Sequence, residues 1–283
     1  MLVAMSDIFV SLEKEWGLKS HTTIGANAQP TLLAPTALRD ALSDGFGKAG
    51  LFKHGEMNDA SEALGSILEC LDRALGSSRG TSFVHRVFKL EQEQRLQCPA
   101  CGRVSRQMSS APMSQLVSSF QLRTAVREGR GNMEAVLRDD SVILTCEAGG
   151  CTKKSPLTLF IRPGTSLPTC YTVVVGWEAD SFTAEDVQQC MTGILTSIDL
   201  CNLYSGLGQS RGDMTRYALK AVVCYYGAHY LAYCRDRPDS WLYLDDATTR
   251  RVGSWAEVSK NAAVGRHLPV ILVYENVFAV GGN

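Results

Sequence analysis

An α+β fold is predicted by three features of the sequence. Amphipathic helical segments gather in the first 80 residues, short β-branched and aromatic runs crowd the chain from Leu157 onward, and two cysteine pairs sit in an insert between them. Helices in one block and strands in another argue for segregated layers, whereas a doubly wound α/β fold would alternate them. The 283 residues, 45% hydrophobic and 20% charged, suffice for one large mixed domain with an inserted lobe or for two domains. A formal net charge of −1 with scattered basic residues gives no electrostatic case for nucleic acid as a partner. No apolar run approaches the roughly 18 residues needed to cross a bilayer, so no membrane partner is expected. The start MLVAMSDIFV lacks the basic n-region and small-residue cleavage site of a secretory signal, which makes the cytoplasm or nucleus the expected location.

The elements follow in order. Ile8, Phe9, Leu12 and Trp16 share one helical face over 5–16, the stretch HTTIGANAQPTLLAP reads as a loop, and a short helix over 36–44 follows Pro35. The strongest helix signal is NDASEALGSILECLDRAL. Asn58 reads as its N-cap, Asp59 and Glu62 suit the positive helix start, and Leu64, Ile67, Leu68, Leu71 and Leu75 form the stripe expected to be buried. After the break GSSRG, Thr81 to Gln97 reads as an extended strand entering CPACG, and SVILT reads as a strand entering TCEAGGC. The residues between those two are polar and partly helical. Then LTLFIR, CYTVVVGWE, YALKAVVCYY, HYLAYCR, SWLYL and PVILVY read as strands of an antiparallel sheet. Helices interrupt them at TAEDVQQCMTGIL, with a Thr183/Asp186 capping box, and at SWAE, with Ser254 and Glu257 in the same roles. The divisions expected are 1–80, 81–165 and 166–283.

Six of the ten cysteines (Cys70, Cys170, Cys190, Cys201, Cys224 and Cys234) lie in apolar surroundings and read as reduced, buried small hydrophobes. The other four are spaced as ligands. Cys98-Pro-Ala-Cys101, followed by Gly102, forms a knuckle whose thiolates can face one ion, and Cys146 with Cys151 offers a wider second pair. Four thiolates match structural Zn²⁺, although the 44 intervening residues exceed ordinary finger spacing and a degenerate site packed dry is the alternative. A redox role is disfavoured because the first pair follows a strand and does not open a helix.

A lone histidine is by default a satisfied surface or core residue, but His229 has suggestive company. Gly227 lets the chain turn sharply before it, Tyr230 follows it, and the next strand runs through Trp241 and Tyr243 to Asp245 and Asp246. Adjacent antiparallel strands would set an aspartate beside the imidazole, where it fixes the tautomer and stabilises the imidazolium. Cys224, five residues before His229 on a strand, points to the opposite face or lies across the turn and is not expected to act as nucleophile.

The segment YALKAVVCYYGAHYLAYCRDRPDSWLYLDDATTRRV resembles the histidine box of the ubiquitin-specific proteases, in which Gly-x-His-Tyr precedes Trp-x-x-x-Asp-Asp. HLPVILVYE is similar to that family's terminal strand, and FKHGEMNDASEALGSILECL to its Gln-Gln-Asp-Ala-x-Glu-Phe segment. CYYGAHY and MNDASE resemble a divergent branch. The resemblance implies a papain-like α+β fold, with a partial helical thumb over 1–80, zinc-bearing β fingers over 81–165 and an antiparallel β palm over 166–283. It implies His229 as general base, Asp245 as its orienter and Asp246 as a second polar support. Asp59, Glu62 and Tyr230 would contact the substrate, Asp59 meeting the arginine-bearing ubiquitin tail, and Cys98, Cys101, Cys146 and Cys151 would hold Zn²⁺. The implied partner is ubiquitin or a ubiquitinated protein, and the implied reaction is thiol-dependent hydrolysis at the ubiquitin C-terminus. The family's nucleophile box, Gly-Leu-x-Asn-x-Gly-Asn-x-Cys-Tyr, has no counterpart here, and MLVAMSDIF is similar to the helix after it. The expectation is a domain truncated at its N-terminus and inactive as it stands; a pseudoprotease that holds ubiquitin without cutting it is the alternative. A zinc-ribbon nucleic-acid module conflicts with the balanced charge.

Overall fold

The computed structural model describes residues 5–8, 10, 35–76, 82–138, 143–146, 150–161, 166–179, 182–207, 214–246 and 248–278. Residues 5–8 and 10 are helical, in keeping with the first expected helix; its Phe9, Leu12 and Trp16 lie outside the described residues, as do 21–34 of the expected loop. Helix α1 (Thr36–Phe46) follows Pro35, and α2 (Ala60–Leu75) is the long amphipathic helix. Its N-cap is Asp59, one residue later than expected, because Asp59 Oδ1 accepts from the amides of both Ser61 and Glu62. Asn58 instead turns back to accept from the Phe52 amide. Of the predicted apolar stripe only Leu68 is buried; Leu64, Ile67 and Leu71 are half-buried and Leu75 is exposed.

The expected strand over 81–97 divides. Ser82 caps a short helix α3 (Phe83–Phe88) through the His85 amide, and burial of Val84 outweighs the strand preference of its β-branched residues; β1 is confined to Gln92–Gln97. Asp72 of α2 accepts from the Ser82 hydroxyl and pairs with Lys89 at 2.5 Å, tying α2 to α3.

Strands β2 (Val104–Ser110) and β3 (Gln115–Ser118) follow, then α4 (Ser119–Arg127), α5 (Met133–Leu137), β4 (Ile143–Thr145) and β5 (Lys154–Ile161). A four-stranded sheet has the order β2-β1-β5-β4. The stretch expected as one insert is thus interrupted: β3 leaves the small sheet and runs parallel to β6 (Cys170–Gly176) at the edge of the large one.

The rest of the chain is α6 (Ala184–Gly193), β7 (Ser197–Asp199), α7 (Leu200–Leu203), β8 (Arg216–Tyr226), β9 (His229–Arg237), β10 (Ser240–Asp245), β11 (Thr248–Gly253), α8 (Trp255–Gly265) and β12 (Leu268–Asn276). The large sheet has the order β11-β10-β9-β8-β12-β6-β3, with β7 paired to β8. Both predicted capping boxes form, Thr183 with Asp186 on α6 and Ser254 with Glu257 on α8. Helices α4, α6 and α8 pack side by side, with Gln188 of α6 bonded to Ser259 of α8. Alternation along β8 buries Tyr217, Leu219, Val222 and Cys224, which meet Val187, Cys190 and Met191 of α6 in one core.

Candidate functional site

The site forms where β8, β9 and β10 come together. Gly227 (φ 48°) and Ala228 (φ 68°) both take left-handed conformations between the paired residues Tyr226 and His229. This is the two-residue turn whose twist suits an antiparallel hairpin, and it makes His229 the first residue of β9. Glycine meets the φ requirement without strain and Ala228 does not, so hairpin pairing holds the second turn residue in place.

Asp245 ends β10, the neighbour of β9. Its Oδ1 lies 2.6 Å from His229 Nε2, and its Oδ2 accepts from Tyr243 at 2.6 Å and from Tyr226 at 3.4 Å. The Tyr243 hydroxyl, and then the imidazole, hold the Asp245 carboxyl below the usual carboxylate range against the opposing effect of partial burial. Burial and the same hydrogen bond push Tyr243 up to about 12. An ionised Asp245 makes Nε2 the protonated nitrogen, which leaves Nδ1 with its lone pair. Asp246 is the weaker partner. Its Oδ2 is 3.9 Å from Nε2, its side chain is 82% exposed and its backbone is left-handed (φ 45°) at the β10–β11 turn.

Behind the pair stands a second imidazole. His267 is buried, its Nδ1 lies 2.8 Å from the Tyr233 hydroxyl, and its ring centroid is 5.0 Å from that of Tyr226. Desolvation lowers its pKa and favours the neutral ring. Tyr243, Tyr226 and His267 were not singled out as site residues from sequence. Tyr243 stood two residues before Asp245, where strand alternation puts both on one face; His267 carried no comparable local signal.

The start of α2 approaches the same place, since the Ala60 amide donates to the Tyr230 hydroxyl at 3.3 Å. Asp59 and Glu62 are exposed on that first turn. Tyr230, next to His229 in β9, thus meets the start of the helix whose first turn carries Asp59 and Glu62.

The four spaced cysteines converge. All four sulfurs lie within 4.8 Å of one another; Cys98 and Cys151 are 3.7 Å apart, as are Cys101 and Cys146. Zinc–thiolate bonds of about 2.3 Å at tetrahedral angles give sulfur–sulfur edges of about 3.8 Å, so this donor set fits the ion. The separations are far beyond a disulfide's roughly 2 Å. The knuckles are built alike: the Gly102 amide donates to the Cys98 carbonyl and the Cys98 amide to the Arg103 carbonyl, while the Cys146 amide donates to the Lys153 carbonyl. Amides of the first knuckle, from Cys101 and then Ala100, bring the Cys98 thiol down to about 6.

All ten cysteines are among the described residues, and none is hydrogen-bonded to His229. Cys224 is fully buried, paired in register with Leu231, and its thiol is pushed well up by desolvation. Of the six expected to be buried, Cys190 and Cys224 are; Cys70, Cys170 and Cys234 are half-buried, and Cys201 is exposed, near Thr215 and the Leu207 carbonyl. No helix among the described residues is long and apolar enough to cross a membrane.

The chain is similar in fold and sequence to known proteins. A solved SAGA DUB module of Ubp8, Sgf11, Sus1 and Sgf73 bound to monoubiquitin superposes with a TM-score of 0.56 at 16% identity, covering 85% of this chain and 52% of that one. A second Ubp8-containing SAGA DUB module gives the same score and identity over 87% of this chain and 54% of that one. These establish the ubiquitin-specific protease type of α+β fold. Among curated proteins, ubiquitin carboxyl-terminal hydrolase 54 of Rattus norvegicus is 22% identical over 86% of this chain and 16% of its own length. Ubiquitin carboxyl-terminal hydrolase 53 of Homo sapiens is 22% identical over 84% of this chain and 24% of its own length. The chain therefore spans less than a quarter of the curated relatives it matches. The family model "Ubiquitin carboxyl-terminal hydrolase" matches residues 1–274. With nearly its whole length matched at low identity, the chain belongs to the ubiquitin carboxyl-terminal hydrolase family, as a divergent ubiquitin-specific protease.

Proposed function

We propose that this chain forms the base-bearing part of a thiol-dependent deubiquitinase, cleaving isopeptide bonds at the ubiquitin C-terminus. The observation that carries the reading is the 2.6 Å contact between Asp245 Oδ1 and His229 Nε2, which leaves Nδ1 as the basic atom. In this role Nδ1 takes the proton of a thiol, and the thiolate attacks the isopeptide carbonyl carbon. The imidazolium, stabilised by Asp245, returns that proton to the departing lysine amine. Water then attacks the thioester with Nδ1 as base, releasing the ubiquitin carboxylate and the thiol. Asp246 is an outer polar support, and Asp59, Glu62 and Tyr230 line the approach of the basic ubiquitin tail. Zinc held by Cys98, Cys101, Cys146 and Cys151 would cross-link the two knuckles of the small sheet, a structural part without a step in the reaction. The same division gives a thumb over 1–80, fingers over 81–165 from which β3, α4 and α5 return to the palm, and a palm over 166–283. The cytoplasm or nucleus is the setting that keeps such cysteines reduced.

A second reading has one observation in its favour: none of the ten cysteine sulfurs bonds His229. On it, the 283 residues hold ubiquitin without cutting it. Treating the chain with ubiquitin bearing a C-terminal electrophile, and mapping any adduct by mass spectrometry, separates the two. The enzyme reading expects no adduct on the ten cysteines here, and an adduct on a preceding cysteine box in a longer form of the protein. A longer form that carries such a box and binds ubiquitin without reacting would replace the enzyme reading with the pseudoprotease.

A further inference from the structure

We propose that Tyr243 is a positioning residue of this site: its hydroxyl, seconded by that of Tyr226, holds Oδ2 of Asp245 so that Oδ1 stays turned to His229 Nε2. The inference rests on the functional reading above, to which it adds a third member of the relay. A carboxylate at the end of a strand is free to rotate about its last side-chain bonds, and one contact to an imidazole does not fix it. Here the second oxygen is bound from two directions, at 2.6 Å by Tyr243 and at 3.4 Å by Tyr226. Both donors are themselves immobilised. The Tyr243 ring lies 4.4 Å beneath the Arg250 guanidinium, its partner across the β10–β11 ladder, and 5.6 Å from the Tyr233 ring. The Tyr226 ring stands edge-on to His229 and against buried His267.

The hydrogen bond has an electrostatic consequence. Both tyrosines are kept neutral, and so remain donors, because burial and the neighbouring carboxylate raise their pKa. Asp245 is correspondingly kept ionised. The charged or titratable groups facing it are His229, Asp246, Arg250, His267 and the two phenols; of these only the phenols and His229 touch it. Removing the Tyr243 hydroxyl should raise the proton affinity of Asp245 and loosen its hold on Nε2–H.

The test is nuclear magnetic resonance of the 283-residue chain with ¹⁵N-histidine, comparing wild type with Tyr243→Phe, which keeps the ring. The Nε2–H proton of His229 should exchange faster in the variant, and the acid-side step in the His229 ring shifts, which reports Asp245 ionisation, should move to higher pH. In a longer form that cleaves ubiquitin conjugates, kcat should fall about tenfold, the effect of losing one hydrogen bond to a charged group, with KM for ubiquitin unchanged. Identical exchange and an unmoved acid step in Tyr243→Phe would overturn the assignment. Should that variant fail to fold, Tyr226→Phe carries the test: it must move both observables the same way by less, and no movement overturns the proposal. Absence of ubiquitin cleavage by every wild-type form counts against the functional reading alone, since the imidazole measurements do not depend on turnover.

Discussion

Gly193, the last residue of α6, is where a single methyl group should disturb the helix layer behind the large sheet. A Cβ built there would lie 2.5 Å from Leu122 Cδ1, 2.7 Å from Leu122 Cγ and 3.0 Å from Val126 Cγ2, all on α4. Ordinary carbon contacts need about 3.5–4.0 Å, so α4 and α6 must separate by roughly 1 Å. Leu122 has no exposed surface into which to swing. Overpacking of this kind costs about 1–3 kcal/mol, and the better helix propensity of alanine offsets at most about 1 kcal/mol of it. Gly193→Ala should therefore lose about 1–2 kcal/mol, and at about 2–4 °C per kcal/mol its Tm should fall by roughly 2–8 °C. Leu122→Ala alone should cost about 2–5 kcal/mol by opening a cavity. In the double variant the new methyl occupies part of that cavity, so the combined loss should be smaller than the sum of the two. Thermal melts of the four proteins measure this. A Gly193→Ala protein at least as stable as wild type, or strictly additive losses, would refute the close-packing argument.

Protein purified without added metal should carry one zinc per chain by elemental analysis, and Cys98→Ala with Cys101→Ala should abolish it; metal-free wild type that melts identically after chelation would contradict this. Asp59→Asn keeps the helix cap, since both residues cap well, and should retain stability while weakening ubiquitin binding, whereas Asp59→Ala should also lose about 1 kcal/mol. Equal ubiquitin affinity for wild type and Asp59→Asn would leave the residue only its cap. Asp72, Asp186 and Asp245 have folded-state pKa values lowered by their hydrogen-bond partners, Lys89, Thr183 and Tyr243 respectively leading. Their stabilising effect is complete above the unfolded carboxylate pKa of about 4 and is lost as pH falls through the lower folded values. Melting temperature should decline with acid below about pH 4, and Asp72→Asn should flatten that decline; a rise in stability on acidification would contradict the assignment.

The sequence disclosed most where local rules coincide with the fold. The two capping boxes, each two-cysteine knuckle and the pairing of His229 with Asp245 depend on short spacings that strand, turn or helix geometry converts directly into proximity, whereas the two knuckles meet only because β1, β5 and β4 pair across 44 intervening residues. Reading failed where tertiary contacts decide. Phe83–Phe88 is rich in β-branched and aromatic residues yet becomes a helix because Ser82 caps it and Val84 is buried. The return of β3 to the large sheet is a pairing with β6 more than fifty residues away, which no local pattern announces. Strand β11 went unread because its TTRRVG is polar and exposed, as an edge strand is. Asp59 displaced Asn58 as cap because Asn58 is engaged with Phe52, a residue whose positive φ was equally invisible. His267 reached the site through a fold-level contact from β12's approach, remote in sequence from His229.

Steady-state hydrolysis of a ubiquitin C-terminal fluorophore amide tests the proposed role of His229, oriented by Asp245, as the base of a deubiquitinating reaction. In the longest native form of the protein, wild type should release the fluorophore and His229→Ala should be slower by about 10²–10⁴-fold, the usual worth of a positioned general base. Hydrolysis by His229→Ala at the wild-type rate would rule out His229 as the base.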